Sequence, residues 1–307
     1  MPMNPRNSPL KPFIPWLKAE RPIDWQRRFG HEAILNVEIG FGYGEFLVRL
    51  AQTHPDRHFV GLELQWSSIQ KALRNIARAD LSNVRLLQAD ARVAFDRLFK
   101  PQSLHCIYSL FPDPWPKKRH TKHRLFSHSF LKLLNSRLLN GGEVRIITDY
   151  QPYVNWIVEQ IPGTGFEVSC ETIPPRFGTK YERKWHGSGQ EEFHEMQLLK
   201  REHVEIPLKE DRLLKTYYLE RFDPDRFKPK DQRGETVVEF KEFLYDPKRQ
   251  KGMVQVIVAE ENLTQNFWIE IGQRRERWYV HPARGCGIVP TVGIQRALDL
   301  VHEATQG

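Results

Sequence analysis

The chain has 307 residues, 40% hydrophobic and 27% charged, with a net charge of +8 and a pI near 9.3. That is enough for two cored domains of soluble, globular composition, and no apolar run approaches the roughly 18 residues of a membrane helix. The opening MPMNPRNSPLKPFIPWLKAERP lacks the apolar stretch of a secretory signal, and three scattered cysteines without a C-x-x-C point to a reducing compartment rather than a disulfide framework or a zinc site.

Residues 1–30, rich in proline, read as an extended N-terminal arm. From Ile34 to Lys200, β-rich runs (AILNVEI, HFVGLEL, NVRLLQA, LHCIYSL, EVRIITD, FEVSCET, FHEMQLLK) alternate with helical patterns (EFLVRLAQTH, SSIQKALRNIARA, VAFDRLF, SFLKLLNSRLLN, YVNWIVEQI). Gly141-Gly142 stands where the fourth of these helices should be capped. Seven strands with intervening helices predict a largely parallel sheet covered on both faces, its last strand an antiparallel edge. Residues 31–204 are assigned to this domain. A helix over EIPLKEDRLLKTYYLERF and a charged, proline-bearing linker fill residues 205–234. Short alternating runs and an amphipathic stretch, PTVGIQRALDLVHEA, then predict a small α+β domain over 235–307.

The first strand ends in NVEIGFGYGEF, and strand, glycine loop and helix together make a nucleotide-binding turn. The spacing is E-x-G-x-G-x-G, over Gly40, Gly42 and Gly44, and not the G-x-G-x-x-G of a dinucleotide site. Glu45 would also oppose a pyrophosphate. Glu38 instead suits a cationic cofactor such as S-adenosylmethionine (AdoMet). Glu63 lies 23 residues past Gly40, where a carboxylate grips ribose hydroxyls. Asp90 closes the third strand, placed to accept from an adenine amino group. The fourth strand runs into FPDPW, so Asp113 reaches the same crevice as a cofactor-binding residue facing the methyl group, in a frame stiffened by Pro112 and Pro114. Phe111 and Trp115 offer flat surfaces for a base. Lys117 to Arg124 are then basic or potentially basic at every position but Thr121.

The charge is unevenly placed. Residues 205–307 hold 17 of the 46 Lys+Arg and 17 of the 38 Asp+Glu, so the whole excess falls on residues 1–204. A polyanion is the natural partner, with the basic block as its phosphate clamp.

These motifs resemble the tRNA (guanine-N7-)-methyltransferase family of TrmB type. The resemblance covers roughly Ile34 to Lys200 and includes EIGFGYGEF, GLEL, the segment from Asn83 to Asp90, FPDPWPKKRHTKHR, TDYQPY and TKYE. It implies a class I Rossmann-like fold and methyl transfer from AdoMet to N7 of a guanine in the tRNA variable loop, leaving S-adenosylhomocysteine. Glu38, Glu63 and Asp90 look like cofactor ligands, and Asp113 like the catalytic or guanine-binding acid. Lys117, Asp149 and Thr179, Lys180, Tyr181 and Glu182 look like substrate contacts. Lys118, Arg119, Lys122 and Arg124 belong to the RNA-contacting stretch. Asp113 and Glu182 are cast as acceptors for the guanine N1–H and amino groups; Lys117 either stabilises those carboxylates or holds a phosphate. His123 stands where the family more often has arginine. The implied partner is tRNA, with no metal and no membrane, and the chain is expected in the cytoplasm as a monomer or homodimer.

A methyltransferase of exocyclic amino groups would place two prolines between acid and aromatic, which Pro112-Asp113-Pro114-Trp115 does not. A non-catalytic RNA-binding protein with this fold is the other class; titration with AdoMet separates the two. In the C-terminal domain, RRERWYVHPAR gathers arginines beside Trp278 and Tyr279, either as a tRNA contact or as a hairpin with Trp278 in its own core.

Overall fold

Six residues, Ile34–Ile39, form β1, and five of them are buried, as a central strand covered on both faces requires. A computed structural model describes residues 10–178, 182, 192–274 and 276–306. The chain divides into two units, Met1–Lys209 and Glu210–Gly307.

In the first unit a seven-stranded sheet runs β3-β2-β1-β4-β5-β7-β6, built from β1, β2 (Arg57–Glu63), β3 (Val84–Gln88), β4 (Leu104–Leu110), β5 (Leu138–Thr148), β6 (Phe166–Ile173) and β7 (Phe193–Lys200). The first five are mutually parallel. β7 is antiparallel to both neighbours, but it lies between β5 and β6, so β6 is the edge where β7 was expected. The crossovers carry α2 (Glu45–Thr53), α3 (Trp66–Arg78), α4 (Ala91–Arg97), α5 (His128–Arg137) and α6 (Gln151–Gln160), following a short α1 (Trp25–Phe29). α3 buries Ile69, Ala72, Leu73 and Ile76, the i, i+3, i+4, i+7 stripe that seats a helix on a sheet. Gly44 lets α2 approach that stripe: a Cβ there would come within 2.8 Å of the Ala72 Cβ.

Two expectations are corrected in this unit. From residue 10 the N-terminal segment is packed rather than a free arm. Phe13 bridges to Leu86, the Trp16 indole donates to the Gln88 carbonyl (2.7 Å), and Trp25 stacks on Phe99. Its apolar side chains outweigh its prolines. Gly141-Gly142 also does not cap the helix, because α5 ends at Arg137 and β5 begins at once. The glycines lie instead in an irregularity of the β4–β5 register between Leu104 and Cys106, with Gly141 at φ +74°.

The helix expected over 205–222 is absent. Buried Arg137 donates to the carbonyls of Ile206 and Pro207, and Lys209 N–H donates to the Asp96 carbonyl, so extended chain is satisfied by tertiary bonds.

In the second unit, β8 (Tyr217–Leu219), β9 (Thr236–Asp246), β10 (Lys251–Glu260), β11 (Leu263–Arg274) and β12 (Arg277–Pro282) form an antiparallel sheet of order β8-β12-β11-β10-β9. β8 comes from the sequence read as helix. Tyr217 and Leu219 pack toward the core while Tyr218 is 68% exposed, a period of two. α7 (Val292–Ala304), N-capped by Thr291, buries Ile294, Ala297, Leu298 and Val301 with that core. Trp278 is buried in the same core, as the hairpin reading required.

Candidate active site

The carboxyl ends of β1, β2, β3 and β4 line one cleft of about 490 Å³. It opens beside the β1–β4 pair, where the strand order reverses, the position at which open α/β sheets bind ligands. Glu38, Gly40, Gly42, Glu63, Asp90 and Asp113 all line it, and Gly44 is the N-cap of α2.

The loop from Gly40 to Gly44 takes its shape from positive φ at all three glycines, +71°, +55° and +74°. It is tied to β2 by the Glu63 carboxylate, which accepts from the Gly42 N–H at 3.1 Å and from the N–H groups of Leu64 (2.8 Å) and Gln65 (3.0 Å). Asp90 caps α4 by accepting from the Arg92 N–H at 2.8 Å through Oδ1. Each of these carboxylates therefore orders the cleft wall as well as facing into it.

Glu38 differs. It is 2% exposed, and its Oε2 is buried with no hydrogen-bond partner. Burial, and secondarily the Glu63 charge, push its carboxyl up to about 8, with Arg49 opposing. An unpartnered buried carboxylate oxygen is costly unless a donor arrives. A cationic ligand with an ammonium group supplies one, so the residues present fit AdoMet: an acid for the ammonium, Glu63 for a ribose diol and Asp90 for an amino group. Arg49 was not singled out in the sequence. It lies mid-helix in α2, where no local pattern marks it, and it donates to the Phe177 carbonyl on a distant loop.

Asp113 is exposed at the mouth of the cleft. Its frame has two left-handed, non-glycine neighbours, Phe111 (φ +54°) and Trp115 (φ +43°). Aromatic residues adopt that conformation only when the surroundings impose it. Phe111 N–H donates to the Ile147 carbonyl at 2.7 Å, and Trp115 packs against His120 and His123. His123, which replaces the expected arginine, itself lines the cleft.

The remaining expected contacts divide. Lys117, Lys118, Arg119 and Lys122 are exposed, with 118–123 forming a 3-10 turn. Asp149 is half-buried just past β5. Thr179, Lys180 and Tyr181 lie outside the described residues. Glu182 is not turned to the cleft as expected. It is 3% exposed, and its carboxylate accepts from the backbone N–H groups of Arg176, Phe177 and Gly178, which hold it inside its own loop. Arg124 is also not at the surface with the rest of the basic block. It is 6% exposed and donates through Nε to the Pro114 carbonyl at 2.8 Å.

A family described as "Putative methyltransferase" matches residues 32–195. A tRNA (guanine-N(7)-)-methyltransferase of Chlorobium phaeobacteroides is 46% identical over 171 residues, 56% of this chain and 84% of that protein. One of Thermus thermophilus is 34% identical and the match covers 86% of both chains. One of Aquifex aeolicus is 29% identical over 95% of this chain and 98% of that protein.

Proposed function

Because the chain belongs to the tRNA (guanine-N7)-methyltransferase family, we propose that its acidic cleft holds AdoMet on Glu38, Glu63 and Asp90 while Asp113 orients the guanine. The chain methylates guanine N7 of tRNA from AdoMet, and we place the target in the variable loop and the enzyme in the cytoplasm. The observation that carries the assignment of residues is the one cleft shared by the three strand-end acids and Asp113.

AdoMet supplies an electrophilic methyl carbon on a sulfonium. Guanine N7 has an exposed lone pair and no proton at neutral pH, so the chain needs no general base. Its task is alignment, which can lower a barrier by about 7–11 kcal/mol. Asp113, at the cleft mouth, accepts from the guanine N–H edge and so disfavours adenine, whose edge presents different donors. Its negative charge also favours the transition state, because methylation leaves a positive charge on the purine. The buried Glu182 is better placed to shape the loop that carries TKYE than to touch the base.

We assign phosphate binding to Lys118, Arg119 and Lys122. Replacing the three by Ala should weaken tRNA binding and flatten its salt dependence by about 0.7–0.9 in log–log slope for each phosphate that a side chain no longer neutralises. An unchanged slope would leave the turn a solvated loop. AdoMet affinity should not move.

The test of the function is incubation with bulk tRNA and labelled AdoMet, followed by identification of the modified nucleoside and its position. Label in any product other than 7-methylguanosine of the variable loop overturns the reading. The same assay addresses Glu210–Gly307. The family match spans residues 32–195, inside the first unit, and we assign the chemistry to that unit. We propose that the second unit contacts tRNA away from the target base. Deleting residues 210–307 should raise KM for tRNA several-fold and leave KM for AdoMet nearly unchanged; an unmoved tRNA KM in a folded truncation rejects the tRNA contact.

A further inference from the structure

Arg124 ends the basic block, yet its surroundings are not those of a phosphate ligand. Its guanidinium lies 5.3 Å from the Tyr153 ring centroid and 5.1 Å from that of Trp156, both on α6. Its Nε donates to the Pro114 carbonyl at 2.8 Å. Its own carbonyl accepts from the Arg92 side chain at 3.0 Å. Among the described residues no carboxylate pairs with it. A buried cation without a counter-charge is held only where carbonyls and aromatic faces replace water.

What it grips is the far end of the Asp113 frame. The near end, Phe111, is fixed to β5 through the Ile147 carbonyl. From one anchor to the other run Phe111, left-handed, and two prolines, which donate no backbone hydrogen bond, with the left-handed Trp115 following at once. A turn of that conformation persists only if its surroundings over-determine it. At the Pro114 end, Trp115 packs on His120 and His123, and the hydrogen bond from Arg124 ties the backbone itself.

We propose that Arg124 is a positioning residue: through the Pro114 carbonyl it clamps the Pro-Asp-Pro turn to α6 and so sets where the Asp113 carboxylate stands. The proposal rests on Asp113 being the group that orients guanine. It departs from the role the basic block suggests, because Arg124 then contributes to turnover and not to tRNA affinity. Lysine cannot replace it, since an ammonium has neither the planar Nε donor nor a face to lie between two rings.

The test compares Arg124→Ala and Arg124→Lys with wild type in the full-length chain. Both variants should lose about 100-fold in kcat, the penalty of a misplacement of about 1 Å. Kd for tRNA, its salt slope and Kd for AdoMet should stay within about threefold. Millimolar guanidinium or ethylguanidinium should restore part of kcat in Arg124→Ala and none in Arg124→Lys, whose side chain fills the slot. A lost unit of salt slope with kcat intact at saturating tRNA would make Arg124 a phosphate ligand. A fall in Tm with kcat intact well below it would make Arg124 a stability residue. If Arg124→Ala does not fold, Arg124→Lys decides between these outcomes. Asp113→Ala is the control: if it retains turnover, the reading of Asp113 fails. If it is inactive while the Arg124 variants turn over normally, only the clamp fails.

Discussion

Asp113→Ala should lose about 100- to 1,000-fold in kcat while AdoMet binds within about tenfold of wild type. The range is that of removing one preorganised polar group aimed at developing charge, about 2.7–4 kcal/mol. Asp113 follows β4, the strand paired with β1 of Glu38, and is exposed at the cleft, which fits the proposed action on the base. In the proposed role two effects combine: orientation of the purine edge, and attraction for the positive charge that methylation leaves on the ring. Asp113→Asn separates them. It keeps an acceptor oxygen but no charge, and should recover part of the loss if orientation contributes. The measurement is single-turnover methyl transfer at saturating tRNA beside calorimetric titration with AdoMet. Near-normal turnover by the alanine variant would remove Asp113 from the mechanism.

The parts of the site that were legible in the sequence are those encoded by short-range pattern. Strand ends are marked by a switch from β-rich runs to glycine or acid, and this pattern alone places Glu38, Glu63, Asp90 and Asp113 in the one cleft they share. What was not legible depends on tertiary partners. Arg124 reads like its basic neighbours, and only the distant Tyr153 and Trp156, on α6, withdraw it from the surface. Glu182 reads as a base contact until its own loop folds three amides around it. Residues 205–222 have helical spacing, but the carbonyls of 206 and 207 are claimed by Arg137, and β12 claims 217–219. Propensity is a weak prior against such bonds. The proline-rich start misled for a related reason: Trp16 and Trp25 find buried sites that outweigh the prolines' preference for open chain.

Glu38→Gln should weaken AdoMet binding by about 30-fold, about 2 kcal/mol, and abolish a pH dependence that the wild type shows. In the free protein, burial and the Glu63 charge push the Glu38 carboxyl up to about 8. A bound ammonium favours the ionised form, so the carboxyl falls on binding and a proton is released wherever the free form still holds one. Affinity should therefore rise with pH, by up to tenfold per unit, and level off toward pH 8. The measurement belongs between about pH 5.5 and 7, where the ligand's own α-ammonium, with an ordinary value of about 7.7–8.0, stays charged. The same shift acts on the protein without ligand. Its folded-state value lies above the ordinary 4.5, so the group favours the fold below about pH 4.5, and that contribution is lost as pH rises to about 8. The rise in Tm on adding AdoMet should accordingly be larger at pH 7 than at pH 6. Glu38→Gln cannot titrate, so its affinity should be flat across the window. A flat wild-type profile, or a slope that survives in Glu38→Gln, would place the cofactor's cation on a different group.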